Sequence, residues 1–246
     1  MLDPDARLAL SGTRFTEVRA LAEVASTNGQ LAALARQGAP EGLVLVAGHQ
    51  TDGRGRRGRC WRAPPGSSLL VTVLLRPPPA EAHLAATRTG LAAVAACAEV
   101  AGVAASLKWP NDVVVDAGKL GGILAEAVRG DPGPAVVVGL GLNVAWDLPL
   151  PPGGIDLRGL NGGRVDRTAL LVAFLRALEE RCRQPAGEVM VEYRHRCSTI
   201  GKRVRVELAT EDVTGTAVCV DGEGRLVVEG PGGRRTMAAG EVVHLR

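Results

Sequence analysis

Residues 53 to 61 read GRGRRGRCW, and Arg54, Arg56, Arg57, Arg59 and Arg62 fall within nine residues. A guanidinium is a permanent cation whose forked donors suit carboxylate and phosphate oxygens. The intervening Gly53, Gly55 and Gly58 let the backbone pass close to a ligand. Their spacing matches a dinucleotide-binding turn and nearly matches a phosphate-binding P-loop. Both motifs need a helix that starts inside the loop, because its N-terminus holds the phosphate. Here Pro64 and Pro65 follow and deny that helix, while Arg59 and Cys60 stand where a P-loop needs Lys and Ser or Thr. What remains is a loop for an anionic ligand, set against the plainer reading of a solvated arginine-rich surface.

A second group lies in LKWPND, residues 107 to 112. Lys108 and Asp112 flank a proline turn containing Asn111, and Lys119 starts the next strand of a hairpin. Two lysines with a carboxylate on adjoining strands can supply phosphate charge and a metal-facing oxygen, although Asn111 and Asp112 are also ordinary turn residues. Ser26, Thr27 and Asn28 precede a short helical pattern and would serve equally as a helix cap. His49, His83, His195 and His244 show no ligand spacing, and no metal ligand is assigned.

These groups need elements to position them. The sequence predicts strands over 42–48 and 68–75, an Ala-rich helix over 80–101, and strand, turn, strand, tight turn, strand over 106–128. Pro110 cannot sit inside a central strand, so Pro110 to Asp112 form a turn. Another buried strand covers 134–146, with Gly139 and Gly141 permitting close backbone approach. A Pro/Gly-rich loop runs from Asp147 to Gly163, Asp166 caps a helix to about Arg183, and a further helix ends near Cys197. Period-two alternation and a hairpin signal at VDGEGRL then mark about fifty residues of short antiparallel strands.

Composition limits the function classes. At 246 residues, with 46% apolar and 22% charged residues, the chain can bury a large core, one built mostly from Ala, Val and Leu because aromatics are scarce. A net charge of +3 is too mild for a chain-wide nucleic-acid binder. Five widely spaced cysteines without a C-x-x-C pair point to a reducing compartment. No basic segment leading into an apolar run opens the chain, and no stretch of eighteen uninterrupted apolar residues is present, so a soluble cytoplasmic protein without a membrane span is expected.

Taken in order, STN, HQTDGRGRRGRCW, LKWPNDVVVDAGKLGGIL and VVVGLGLNV resemble the catalytic domain of biotin protein ligases, and the alternating tail resembles the family's SH3-like domain. The resemblance implies an α+β fold: a mixed β-sheet catalytic domain with packed helices over 1–197, then a small all-β SH3-like barrel over 198–246. It implies adenylation of biotin by Mg-ATP, followed by transfer to a lysine of a biotin carboxyl carrier domain. Arg54, Arg56, Lys108 and Lys119 are then the catalytic cations. Ser26, Thr27, Asn28, Gln50, Gly53, Arg54, Gly55, Arg56 and Lys119 bind biotin. Arg57, Arg59, Trp61, Lys108, Asn111, Asp112 and Asn143 bind ATP. Magnesium enters with ATP, its ligands unassigned, and homodimerisation is left open.

Bifunctional relatives carry a winged helix before STN, and the 25 residues here show no two-helix pattern, so repression of transcription is not expected. Trp109 and Trp146 are candidate aromatic walls in an otherwise aliphatic pocket. Rival readings are a lipoate or octanoate ligase on the same fold, a nucleic-acid-binding module using the arginine loop, and a protein that holds biotin without activating it.

Overall fold

A computed structural model describes residues 4–116, 118–130, 132–208 and 210–245. Residues 1–3, part of the stretch read for a leader, and the extreme ends of both domain ranges lie outside the described residues. Twelve strands and six α-helices are described. Seven strands form one mixed sheet: β1 (Val18–Val24), β2 (Val44–Gln50), β3 (Ser68–Leu75), β4 (Ser106–Lys108), β5 (Asp112–Val115), β6 (Gly118–Val128) and β7 (Ala135–Asn143), in the order β1-β2-β3-β7-β6-β5-β4. Only β1 and β2 run parallel; the other neighbours are antiparallel.

All eight residues of β3 are buried, because it lies mid-sheet with both faces covered. On one face α2 (Thr27–Arg36) packs Leu31 and Ala35 over Leu45, Leu74 and Val137. The opposite face belongs to the main core, where α3 (Ala85–Ala101) and α5 (Arg167–Arg183) meet Val71, Val73 and Leu140. The helical run Pro79–Ala101 is long and apolar enough to cross a membrane, but 61% of its apolar window is buried inside the protein, as suits a core helix. After α6 (Ala186–Arg196), β8 (Arg203–Glu207), β9 (Asp212–Val220), β10 (Leu226–Gly230), β11 (Gly233–Met237) and β12 (Glu241–His244) make an antiparallel sheet in the order β11-β10-β9-β8-β12. Among the described residues no pairing joins β11 to β12, so this second unit is a five-stranded sheet rather than a closed barrel. The hairpin expected at VDGEGRL joins β9 to β10, held by the Asp221 N–H to Arg225 carbonyl bond of 2.9 Å.

Three elements carried too little signal to be predicted. The edge strand β1 is buried on neither face and lacks period-two alternation. The helix α1 (Pro4–Ala9) buries Ala6 alone. Inside the loop from 147 to 163, α4 (Leu157–Asn161) buries only Leu157; it is nucleated by Asp156, whose carboxylate accepts from the Gly159 N–H at 2.7 Å.

Candidate active site

The α2 face of the sheet, the loop after β2 and the start of β12 enclose one cleft. One wall is uncharged. Ser26 caps α2, its hydroxyl oxygen accepting from the Gly29 N–H at 3.3 Å. Thr27 donates from its N–H and hydroxyl to Gln50 Oε1 at 2.8 and 2.9 Å. Asn28 donates from Nδ2 to the Leu124 carbonyl at 3.0 Å and to Glu126 at 2.8 Å. The Thr72 hydroxyl bridges Thr27 Oγ1 and Asn28 Oδ1 at 2.7 and 2.8 Å. Ser26, Thr27 and Asn28 are each 4% exposed, so the cap residues are also a buried polar wall.

The opposite rim is cationic. The loop turns through a single 3-10 turn at Arg56–Gly58 and is closed by the Gly55 N–H to Arg59 carbonyl bond of 2.7 Å and the Trp61 N–H to Gly53 carbonyl bond of 2.8 Å, which bracket Arg54 and Cys60. Arg56 donates to Asn111 Oδ1 at 3.1 Å, and Asn111 donates in turn to the Ile123 carbonyl at 2.9 Å. Burial lowers the affinity of the Arg56 guanidinium for its proton and Asp112 works the other way, with Arg57 adding to the lowering. Lys119 donates to Asp112 at 2.6 Å. No ion pair or side-chain hydrogen bond among the described residues engages the Arg54 guanidinium or the Lys108 ammonium, which leaves both charges for a ligand.

Trp61 lies on the floor. A Cβ at Gly141 would stand 2.6 Å from its Cε2, and one at Gly122 3.2 Å from its Cζ3. Only glycine allows the ring to rest there. The Lys119 ammonium is 5.9 Å from the ring centroid, within reach of its negative face. Among the described residues the buried indole N–H has no hydrogen-bond partner.

The C-terminal sheet closes the end of the cleft. Arg59 makes two hydrogen bonds to the Glu241 carboxylate, and Arg57 donates to the Glu207 carbonyl at 3.3 Å. Trp109 is 2% exposed; its N–H donates to Thr199 Oγ1 at 3.1 Å and its indole to the Gly224 carbonyl at 2.9 Å.

Of the residues singled out in the sequence, Ser26, Thr27, Asn28, Gln50, Arg54, Gly55, Arg56, Arg57, Arg59, Trp61, Lys108, Asn111, Asp112 and Lys119 all line this cleft. Gly53 lies behind it, where a Cβ would meet the Trp61 carbonyl at 2.3 Å. Asn143 is not in the lining: it donates to the Ile155 carbonyl at 3.0 Å, and its buried Oδ1 has no partner among the described residues. Of the two candidate aromatic walls, Trp109 lines the cleft. Trp146 does not; its indole bonds Ser68 and its backbone N–H Asp156, because the chain turns away after β7. Sequence reasoning missed Thr72, Glu126 and Glu241, which belong to no motif. Among the described residues no three His, Cys, Asp or Glu side chains gather to hold a metal ion.

The model of the biotin/lipoate A/B protein ligase family matches residues 21–143, and that of the biotin protein ligase C-terminal domain matches residues 199–245. The chain belongs to the biotin/lipoate A/B protein ligase family. Within it, the biotin–[acetyl-CoA-carboxylase] ligase of Mycobacterium tuberculosis is 40% identical over 96% of this chain and 92% of its own length. The enzyme of the same name from Paracoccus denitrificans is 32% identical over 90% of this chain and 98% of its own. Among solved structures, the biotin protein ligase from Aquifex aeolicus in complex with biotin and ATP superposes with a TM-score of 0.80 at 26% identity, covering 94% of this chain and all of the other.

Proposed function

We propose that the chain is a biotin–protein ligase: it adenylates biotin to biotinyl-5′-AMP and passes the biotinyl group to a lysine of a carrier domain. The observation that carries this reading is the division of the cleft. One wall offers uncharged hydrogen-bonding groups from Ser26, Thr27 and Gln50, and the other offers Arg54, Arg56, Lys108 and Lys119, with Arg54 and Lys108 in no ion pair among the described residues. A neutral ring bearing a carboxylate tail, lying beside a polyphosphate, needs such a division. The names of the relatives above support it.

In the first step a carboxylate oxygen of biotin attacks the α-phosphorus of ATP, and the bond to the β-phosphate bridging oxygen breaks to release pyrophosphate. Two anions must meet, so Arg54, Arg56 and Lys119 hold the carboxylate side while Lys108, Arg57 and Arg59 face the phosphates. Trp61 provides an apolar face beside the adenylate, and Gly53 and Gly55 let the loop come close. In the second step the lysine amine of the carrier attacks the mixed-anhydride carbonyl, forming an amide and releasing AMP. A closed loop shields the anhydride from water. Magnesium neutralises phosphate charge when bound with ATP. Asp112, the carboxylate that lines the cleft beside Lys119, and Asn111 would be the protein groups nearest to it. A cytoplasmic location suits five unpaired cysteines.

The test is exchange of labelled pyrophosphate into ATP with biotin, lipoate or octanoate in separate reactions. Exchange with biotin alone is expected. Exchange with another acid would keep the fold and change the substrate, and biotin binding without exchange would make this a binding protein.

A further inference from the structure

Glu126 belongs to none of the motifs, yet it ends a hydrogen-bonded chain that runs to the uncharged wall. It stands on β6 opposite Val137 and bonds Asn28, a residue 98 positions earlier. The two acceptors of Asn28 Nδ2 are the Leu124 carbonyl, which can only accept, and the Glu126 side chain. They therefore fix which way the Asn28 amide lies, with both N–H groups on Leu124 and Glu126 and Oδ1 turned to Thr72. Space for that oxygen exists because residue 139 is glycine; a Cβ there would stand 2.2 Å away. Thr72, fully buried, shares its one hydroxyl proton between Asn28 Oδ1 and Thr27 Oγ1, and Gln50 Oε1 accepts from the Thr27 backbone N–H and from the Thr27 hydroxyl. Gln50 is left with its amide N–H groups as its free hydrogen-bonding function, and the Ser26 oxygen, already accepting from Gly29, is left with its proton. The wall thus presents donors.

We propose that Glu126 is a positioning residue for this wall: with the Leu124 carbonyl it fixes the Asn28 amide and, through the shared Thr72 proton, sets the Thr27 hydroxyl, which together with the Thr27 N–H holds the Gln50 amide as a donor to a neutral carbonyl acceptor on the ligand. The proposal rests on the reading that this wall receives the biotin ring. Glu126 donates nothing to the ligand and touches none of the reacting atoms.

The test compares Glu126→Ala and Glu126→Gln with wild type in biotin-dependent pyrophosphate exchange, with KM for biotin and for ATP measured separately and thermal unfolding run alongside. One neutral-ligand hydrogen bond is at stake, so Glu126→Ala should raise the biotin KM about three- to tenfold. The ATP KM and kcat should stay within about twofold. Glu126→Gln, whose side-chain oxygen still accepts from Asn28, should restore the biotin KM. Should Glu126→Ala unfold, Thr72→Val cuts the same chain at its middle and should give the same selective rise. An equal rise in both KM values, a fall in kcat alone, or a Gln variant as poor as Ala would overturn the proposal. Wild-type enzyme without any biotin-dependent exchange would instead overturn the ligase reading itself.

Discussion

Arg59 in the loop and Glu241 at the start of β12, 182 residues apart, are joined by two parallel guanidinium–carboxylate hydrogen bonds. The last strand of the protein thereby holds the loop that supplies most of the cleft's positive charge. Arg59 is 65% and Glu241 34% exposed at the side chain, so solvent screens the pair and its worth is at most about 1 kcal/mol. Arg59→Ala and Glu241→Ala should each raise the KM for ATP a few-fold, and the double variant should be no worse than either single one. A double-mutant cycle in the exchange assay checks this.

The same pair sets a pH dependence. The bond from Arg59 holds the Glu241 carboxyl below its ordinary value of 4.5, against the upward pull of burial. A lowered folded-state value means that the latch is complete above that ordinary value and is lost as pH falls through the depressed one. Proteolytic nicking of the loop should therefore be flat from neutral pH down to about 5 and increase only in stronger acid. In Glu241→Gln the acid-induced increase should vanish.

Lys119 sits between Asp112, at 2.6 Å, and the face of Trp61. In the proposed reaction its ammonium stands where negative charge moves from the attacking carboxylate onto phosphate. Lys119→Ala should lower the exchange rate by about 10²- to 10³-fold, the cost typical of removing one preorganised electrostatic stabiliser, and should also weaken biotin binding measured by calorimetry, because the same ammonium holds the carboxylate. Arg56→Ala should lower the rate and also weaken binding, because it additionally loosens Asn111.

Gly141→Ala would place a methyl 2.6 Å from the Trp61 ring. The indole must leave the floor, at about 1–3 kcal/mol if the loop is to stay closed. The expected outcome is weaker biotin-dependent exchange and a red-shifted Trp61 emission, read against a Trp109→Phe/Trp146→Phe background. Unchanged emission would mean that the floor yields rather than the ring.

Trp109 fastens the two sheets together. Trp109→Phe removes the indole donor to the Gly224 carbonyl and should cost about 1 kcal/mol of unfolding free energy. Thr199→Val leaves the buried Trp109 N–H without an acceptor, a loss of about 1–3 kcal/mol. Urea denaturation compares the two, and the second should be the larger.

Much of the site was legible because its signals are local. The prolines at 64 and 65 exclude a helix after the loop whatever surrounds them, and glycines at 139 and 141 announce a close approach without saying by what. The arginine and lysine positions are readable because a charge cluster needs a counter-charge or a ligand. The third Trp was misread as a pocket wall because proximity in sequence to β7 says nothing of where the chain turns next; Asp156 and Ser68 decide that. The edge strand and the one-turn helix α4 escaped because each buries too little to impose a period on its residues.

The sequence by itself determined the family, the motif residues and the sign of the loop's charge, since these follow from side-chain chemistry and short-range backbone limits. Only the tertiary structure decided which charges are free. It paired Arg59 with Glu241 and Lys119 with Asp112, left the Arg54 and Lys108 charges without partners among the described residues, set Glu126 against Asn28, and turned Asn143 to Ile155 outside the cleft lining. Most of these relations join segments brought together by strand register and by the docking of the second sheet, and register over such distances is fixed by the packing of the whole core, which no local pattern encodes.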